Sequence, residues 1–342
     1  MSKVLRVLVV DDSAYNRRTI TELLQAVTDV EVVGTAADGD EALRMVNDLG
    51  PDAITLDLEM PRMDGFTFLR LLMARRPTPV IVVSGYANKE NVFRALEIGA
   101  LDFIAKPTRS VTTDLVAIRA ELAEKIELVR HLSKLRKPGR EPTIRISTRP
   151  PATQQRPEKV VVVASSTGGP TALVEVFRAI PATADAVVLV AQHMPTRFTE
   201  TFAERLDRLG GLRTRQAEDH HVLQRGDAWV CPGGRCMEIG ADGQLVVLPP
   251  EPGDRYVPSA DRLFRSAAKK YGDRCIGVVL TGMGDDGAAG AHALHTAGGV
   301  VLAESAETAV IYGMPQAAVA TGAVTESLAI TALAERLRTL LG

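Results

Sequence analysis

The stretch VVVASSTGGP at positions 161–170 joins an apolar run to a polar, glycine-rich turn. The β-branched residues of 159–164 predict a strand buried on both faces, and the apolar spacing after Pro170 predicts a helix over 170–180. Pro170 suits a first helical position, so the unpaired amides and the positive end of the helix dipole face the two serines. Such a corner can bind an anion, although the same residues also make an ordinary helix cap against a sheet. Only residues elsewhere in the chain can distinguish an anion-binding site from an ordinary helix cap.

The same alternation of strands and helices runs along most of the 342 residues, which are enough for two domains. The first part predicts a parallel five-stranded α/β sheet. Its strands are expected at 4–10, 30–36, 52–56, 79–83 and 100–105, and its helices at 13–27, 40–49, 66–75, 91–98 and about 115–132. The second part predicts a doubly wound, mostly parallel α/β sheet. Its strands are expected at 160–164, 186–191, 228–231, 244–248, 275–280 and 300–303, and its helices at 170–180, 198–209, 259–271 and 288–297.

A proline-rich segment separates the two parts. Residues 130–159 carry nine Lys or Arg against two acids and few large apolar side chains. We interpret 131–158 as a basic linker that stays solvated, in preference to a contact with nucleic acid or an acidic partner. The predicted domains are therefore 1–130 and 159–342.

Composition narrows the class of protein. A formal net charge of −2 does not indicate a nucleic-acid binder. The odd number of cysteines, at Cys231, Cys236 and Cys275, fits a reducing compartment, so we expect a cytoplasmic protein. Cys231 and Cys236 have no clear third and fourth metal ligand. The first residues do not resemble a signal peptide, and no apolar run is long enough to insert in a membrane.

Polar residues follow the predicted strands of the first domain. Asp11, Asp12, Asp57, Ser84 and Lys106 all stand at strand ends, which share one crevice in an open parallel sheet. Three carboxylates at one point repel each other unless a hard cation such as Mg²⁺ lies among them. The pattern predicts that Asp57 accepts a phosphoryl group, with Mg²⁺, Lys106 and the Ser84 hydroxyl neutralising its charge.

Four motifs make this part similar to the receiver domain of two-component response regulators: VDDS at 10–13, LDLEMPRMDG at 56–65, VVS at 82–84 and AKP at 105–107. The resemblance implies a flavodoxin-like sheet and phosphorylation of Asp57. It also implies that Asp12 binds Mg²⁺ directly with Asp11 nearby, that the backbone oxygen of Glu59 completes the site, and that Lys106 pairs with the phosphoryl group.

The second domain has a comparable set of strand ends. One predicted strand ends at QHMP, 192–195, and another at TGMGDDG, 281–287, so a serine, His193 and an aspartate can meet at one crevice. A serine nucleophile needs a base, and the imidazole needs a carboxylate, which together predict a hydrolase. Backbone amides of the glycine-rich loop 281–287, together with those near Thr167, could bind an oxyanion. The residue pattern does not choose between Ser165 and Ser166, or between Asp285 and Asp286.

Four other histidines and two other functions are alternatives to this site. His220, His221, His292 and His295 are expected at the surface. ASSTG is only a loose match to a nucleophile elbow, and the order Ser, His, Asp differs from that of the α/β-hydrolases. A nicotinamide enzyme is a rival, but STGGP lacks the G-x-G-x-x-G pattern. A phosphorylation-controlled receptor-binding module without catalysis is the other alternative.

The second domain is similar to the catalytic domain of the chemotaxis protein-glutamate methylesterases. The shared motifs are SSTGGP, QHMP, YVPSADRLFRSAA at 256–268, LTGMGDDGAAG at 280–290 and YGMP at 312–315. The resemblance implies Ser166 as nucleophile, His193 as base and Asp286 as orienting acid, with Thr167 and Met283 as backbone oxyanion donors. The chain departs from the pattern at Ala164, Cys236 and 303–308, which affects details of the substrate cleft.

Together the two resemblances imply a phosphorylation-activated hydrolase. It would demethylate glutamate methyl esters on the cytoplasmic domain of chemoreceptors, releasing methanol, and would also deamidate receptor glutamines. A histidine kinase would be the phosphodonor, Mg²⁺ would serve the receiver, and the esterase would need no cofactor.

Overall fold

The computed structural model describes residues 4–85, 89–106, 112–132 and 155–342, without the side chains of 112–117 and 131. The chain divides into two compact units, Met1–Glu141 and Pro142–Gly342. Residues 133–154 of the predicted linker lie outside the described residues. No helix within the described ranges is long and apolar enough to cross a membrane.

The first unit is the predicted parallel sheet, whose five strands lie in the order β2-β1-β3-β4-β5. The strands are β1 (Leu5–Val10), β2 (Val30–Ala36), β3 (Ala53–Leu56), β4 (Val80–Ser84) and β5 (Asp102–Ala105). The helices are α1 (Ala14–Gln25), α2 (Gly39–Leu49), α3 (Gly65–Arg75), α4 (Lys89–Ile98) and α5 (Thr112–Leu128), the last followed by a 3₁₀ turn at Val129–His131.

Helix caps fix the loops beside the strand ends of this unit. Asp38 caps α2 through the amide of Glu41, and the Glu41 carboxylate accepts from the amide of Ala37. Asp64 caps α3 by accepting from the amide of Thr67 at 2.7 Å. The loop after β3 therefore enters α3 at a defined residue.

The second unit is built on a seven-stranded sheet in which every pair is parallel, in the order β14-β13-β12-β6-β7-β9-β8. Its strands are β6 (Lys159–Ser165), β7 (Ala186–Gln192), β8 (Arg213–Gln216), β9 (Asp227–Val230), β12 (Cys275–Val279), β13 (Val300–Glu304) and β14 (Glu326–Leu328). Its helices are α6 (Gly169–Ala179), α7 (Thr196–Asp207), α8 (Ala260–Tyr271), α9 (Ala288–Thr296), α10 (Met314–Ala320) and α11 (Ile330–Leu341), with a 3₁₀ turn at Gly272–Arg274.

The strand order determines where the second unit can carry a site. β6 is flanked by β7, the next strand along the chain, and by β12, which returns to its other side. This reversal is a topological switch point, where open α/β sheets place their ligands at the carboxyl ends of the strands. The ends of β6, β7 and β12 are the three places where the sequence predicts the serine, the histidine and the aspartate loop.

The predicted fold class is confirmed, with one strand assigned to the wrong sheet. The strand expected at 244–248 is β11 (Leu245–Leu248), but it pairs antiparallel with β10 (Cys236–Ile239) in a separate two-stranded sheet. Residues 240–243 form the turn between the two strands, in which the Gly243 amide donates to Gly240 O at 2.9 Å and Gly243 has φ +85°. Five elements were not predicted from the sequence: β8, β10, β14, α10 and α11.

Candidate active site

The turn after β6 separates the two adjacent serines. Ser165 is fully buried, and its hydroxyl donates to Gln192 Oε1 at 2.7 Å. The Gln192 amide nitrogen in turn donates to the backbone oxygens of Ser166 and His193, both at 2.9 Å. Gly169 leaves room for this amide, because a Cβ there would collide with Gln192 Oε1. Ser165 is thus a structural residue, whereas Ser166 is only partly buried.

The loop that follows β12 packs directly against Ser166. The Ser166 amide donates to Thr281 O at 3.0 Å, and a Cβ on Gly282 would lie 2.7 Å from Ser166 Cβ. The Thr281 hydroxyl donates to the backbone oxygen of Thr167 at 2.9 Å. Glu304, buried at the end of β13, accepts from the Thr281 amide at 2.9 Å. These contacts fix the loop relative to the serine turn.

His193 is held by Asp286 and not by Asp285. The distance from His193 Nε2 to Asp286 Oδ2 is 2.8 Å, and Asp286 is 1% exposed. The first amides of α8, those of Ala260 and Asp261, donate to the same carboxylate at 2.8 and 3.0 Å. These donors and the positive end of the helix dipole stabilise a buried negative charge. Asp285 lies at the surface.

Strand register brings Ser166 and His193 to the same edge of the sheet. Ser165 is paired with Gln192 across β6 and β7, and the His193 amide donates to Ser165 O at 2.9 Å. Asp286 occupies one ring nitrogen of His193, which leaves the other for a serine. No hydrogen bond joins the Ser166 hydroxyl to the imidazole in the part of the chain that is described. Such bonds are often long before a substrate is bound.

The predicted oxyanion donors lie on either side of this turn. Thr167 is buried directly after Ser166, and Met283 is partly buried in the loop that packs against it. Their backbone amides therefore belong to the two segments that meet at the serine. Their role as donors to an oxyanion stays a prediction.

The first unit gathers its predicted carboxylates at the ends of β1 and β3. One ligand oxygen from each of Asp11, Asp12 and Asp57 lies within 4.8 Å of the others. Lys106 Nζ lies 2.5 Å from Asp57 Oδ2 and 3.2 Å from Asp11 Oδ2. Burial, together with repulsion from Asp11, raises the pKa of Asp57 to about 6 although Lys106 opposes the shift. Three clustered carboxylates, one of them reluctant to ionise, suit a hard divalent cation.

The supporting residues of this cluster lie beside it. Ser84 ends β4, and its backbone oxygen accepts from the Lys106 amide at 2.8 Å. The Ser84 hydroxyl donates to Gly85 O at 3.3 Å. The Glu59 amide donates to Asp57 Oδ1 at 3.3 Å, while the metal contact of its backbone oxygen stays a prediction.

Several residues of these sites were not predicted from the sequence. Gln192, Thr281 and Glu304 position the serine turn, and the polar Gln192 at the end of a buried strand was a usable signal. His220, His292 and His295 are exposed as expected, but His221 is half-buried, with its ring centroid 4.3 Å from that of Trp229. Among the described residues, only Asp11, Asp12 and Asp57 form a group of three or more potential metal ligands. The three cysteines are free and buried.

Comparison with known families gives one matching family model in each unit. The family model of the CheB methylesterase domain matches residues 161–337, and that of the response regulator receiver domain matches residues 7–117. The chain belongs to the CheB methylesterase family. The predicted family and the two-domain layout of receiver and esterase are therefore confirmed.

Relatives of this CheB-family chain match it over nearly its whole length. The protein-glutamate methylesterase/protein-glutamine glutaminase 1 of Myxococcus xanthus is 48% identical, over 98% of this chain and 99% of its own. The protein-glutamate methylesterase/protein-glutamine glutaminase 6 of Anaeromyxobacter dehalogenans is 51% identical, over 98% of this chain and 95% of its own. The crystal structure of the Thermotoga maritima CheB methylesterase catalytic domain matches with a TM-score of 0.51 and 36% identity, over 53% of this chain and 98% of its own.

Proposed function

We propose that this chain is a phosphorylation-regulated hydrolase that removes methyl esters from glutamates of chemoreceptors and deamidates receptor glutamines. The observation that carries the proposal is the buried Asp286 carboxylate bonded to His193 beside the Ser166 turn. The names of the relatives support the choice of substrate. The domains we propose are 1–130 for the receiver, 131–158 for the linker and 159–342 for the esterase.

In the proposed reaction, the Ser166 hydroxyl oxygen attacks the γ-carbonyl carbon of a glutamyl methyl ester, and His193 takes its proton. The tetrahedral intermediate collapses to an acyl-enzyme as the imidazolium gives that proton to the leaving methoxide, so methanol departs. Water then attacks the acyl carbon, again with His193 as base, and the glutamate and Ser166 are released. With a glutamine substrate the leaving group is ammonia.

Asp286 and the two backbone amides have separate tasks in this reaction. Asp286 is assigned the task of holding the imidazole in one tautomer and stabilising the cation that forms when His193 is protonated. The amides of Thr167 and Met283 are assigned to the oxyanion of the tetrahedral intermediate, where one lost donor costs about 3 to 4 kcal/mol. The mechanism assigns no cofactor to the second unit.

In the first unit, Asp57 is the proposed phosphoryl acceptor and a histidine kinase the phosphodonor. Asp11, Asp12, Asp57 and the backbone oxygen of Glu59 would hold Mg²⁺, which when bound supplies positive charge near the phosphoryl oxygens. Lys106 and the Ser84 hydroxyl are assigned to the same oxygens. Phosphorylation replaces the single charge of an ionised Asp57 carboxylate with an acyl phosphate of about −1.5 to −2 charges, and this change can reorder neighbouring loops.

The proposed substrate also indicates the cellular location and the partners of the protein. The substrate is the cytoplasmic domain of a methylated chemoreceptor, so we infer a cytoplasmic location, which the free cysteines support. We assign no nucleic-acid partner and no membrane insertion. A binding module without catalysis is less favoured, because docking alone does not require a buried carboxylate bonded to an imidazole.

The test is methanol release from methylated receptor, with and without a small-molecule phosphodonor. We expect Ser166→Ala to lose at least about 10⁴-fold in rate. Ser165→Ala should keep measurable release, because Ser165 only supports Gln192. Asp57→Asn should keep the basal rate and lose its increase by phosphodonor. Undiminished release by Ser166→Ala would reject the catalytic assignment, and unchanged activation of Asp57→Asn would reject the regulatory one.

A further inference from the structure

Tyr256 lies against the face of the His193 imidazole. The two ring centroids are 5.4 Å apart, and the ring planes differ by only 7°. The guanidinium carbon of Arg255 lies 5.2 Å from the centroid of the Tyr256 ring. Stacked rings and a guanidinium near an aromatic face are both favourable arrangements. Tyr256 therefore makes a contact with the imidazole that is independent of Asp286.

The Tyr256 hydroxyl fastens this ring to the loop at 281–287. It donates to Asp285 Oδ1 at 2.9 Å, and the Asp285 carboxylate also pairs with Arg255 Nη1 at 3.2 Å. Gly284 has φ +86°, and a Cβ at this position would collide with the Tyr256 phenol. The backbone of the loop is thus packed against the tyrosine. The two neighbouring aspartates have different partners. Asp286 binds the imidazole, and Asp285 accepts from the hydroxyl of the tyrosine that is stacked on it.

A single hydrogen bond does not fix the orientation of an imidazole. The bond from His193 Nε2 to Asp286 Oδ2 holds one edge of the ring, but the ring can still turn about that bond. A flat partner on the ring face removes this rotation. The second ring nitrogen then keeps one direction, and the direction decides whether the nitrogen can reach the Ser166 proton.

We propose that Tyr256 is a positioning residue, whose stacked ring fixes the plane of the His193 imidazole for proton transfer from Ser166. The hydroxyl bond to Asp285 has the secondary task of tying the ring to the loop that carries Asp286. This inference rests on the proposed function, because it assumes that Ser166 is the nucleophile and His193 the base.

The test uses bis(4-nitrophenyl) methylphosphonate on the full-length protein. Ser166 Oγ forms a bond to phosphorus, one 4-nitrophenolate leaves, and His193 takes the serine proton. The released nitrophenolate gives a limiting rate kinact and a half-saturation concentration KI. We expect Tyr256→Leu to lower kinact at least about 10-fold with KI within about 2-fold of wild type. Tyr256→Phe, which keeps the stacked ring, should stay within about 3-fold in both.

Tyr271→Leu is the matched control. Tyr271 is also partly buried in the second unit and has a guanidinium, that of Arg274, 5.0 Å from its ring centroid. It lies at the far end of α8 and makes no ring contact with His193 among the described residues. Its leucine variant should react like the wild type, and thermal unfolding of all variants separates lost reactivity from lost stability.

Each outcome counts for or against a named claim. Equal kinact for Tyr256→Leu and wild type overturns the positioning role, as does a loss shared equally by Tyr256→Leu and Tyr256→Phe. A change confined to KI assigns the tyrosine to substrate contact and also overturns it. Failure of the wild type to release nitrophenolate contradicts the proposed function itself.

Discussion

Adjacent identical residues have different surroundings at three points of this chain. Asp11 is fully buried and Asp12 exposed, Ser165 is fully buried and Ser166 partly buried, and Asp286 is buried while Asp285 lies at the surface. Each buried member forms hydrogen bonds or ion pairs with groups of its own unit. Each more accessible member can face a metal ion, a substrate or a surface partner. The residue type is the same within a pair, so the fold, through burial, assigns the role.

Replacing Asp57 by asparagine (Asp57→Asn) should stabilise the metal-free first unit. The pKa of Asp57 is raised to about 6, so the native state disfavours its ionised form. For an acid with a raised native pKa, the penalty is fully present above about pH 6 and disappears below the unfolded value near 4. We expect the free energy of unfolding in EDTA to rise by about 1 to 2 kcal/mol at pH 7.5.

Urea unfolding at two pH values checks this expectation. The advantage of Asp57→Asn should shrink at pH 5, where the native wild type has largely taken up the proton. Asp48→Asn, on the exposed side of α2, is the control and should change stability by less than about 0.5 kcal/mol. A destabilised Asp57→Asn at pH 7.5 would mean that the ion pair with Lys106 outweighs burial and repulsion.

At the scale of elements, the N-terminus of α8 supports the acid of the candidate active site. Ser259 caps this helix by accepting from the Arg262 amide at 3.3 Å, and its hydroxyl lies 3.5 Å from Asp286 Oδ1. The next two amides donate to Asp286. A helix end, the loop after β12 and the end of β7 thus meet at one carboxylate. Loss of the cap should therefore lower both the stability of the second unit and the rate of the Ser166 reaction.

We therefore expect Ser259→Ala to cost about 1 kcal/mol of stability and to slow the release of nitrophenolate from the phosphonate by about 3-fold or more. The cost follows from the lost cap, and the slower reaction from a less firmly held Asp286. Asp64→Ala, which removes the cap of α3 in the first unit, is the control. It should cost similar stability and leave the Ser166 reaction unchanged. Equal effects of both variants on the reaction would contradict this assignment.

Some of the strands and helices could be predicted from the sequence, and others could not. The parallel sheets were predictable because long β-branched runs alternate with amphipathic helices. β14 has only three residues, and α10 has seven residues that are mostly small. Neither element therefore gives a periodic hydrophobic signal. The hairpin of β10 and β11 had a usable Asp-Gly turn signal. The partners of Gln192 and Tyr256 could not be predicted, because they come from packing between segments far apart in sequence.

At the scale of the whole molecule, each unit has its own core and its own chemistry. The carboxylate cluster lies in the first unit, and Ser166, His193 and Asp286 lie in the second. The chain has one tryptophan, Trp229, which is buried in the core of the second unit. Its fluorescence therefore reports unfolding of the second unit, whereas far-UV circular dichroism reports both units.

We expect saturating Mg²⁺ to raise the midpoint of one thermal transition by about 5 °C without moving the tryptophan transition. The proposed Mg²⁺ ligands are carboxylates of the native first unit, and the described residues of the second unit have no such cluster. Scans in EDTA and in Mg²⁺, followed by dichroism and by fluorescence, measure the two shifts separately. Asp12→Asn removes a proposed ligand and should reduce the Mg²⁺ shift, while Ser166→Ala should leave it intact. A tryptophan transition that rises with Mg²⁺ as much as the first would show that the two units unfold together.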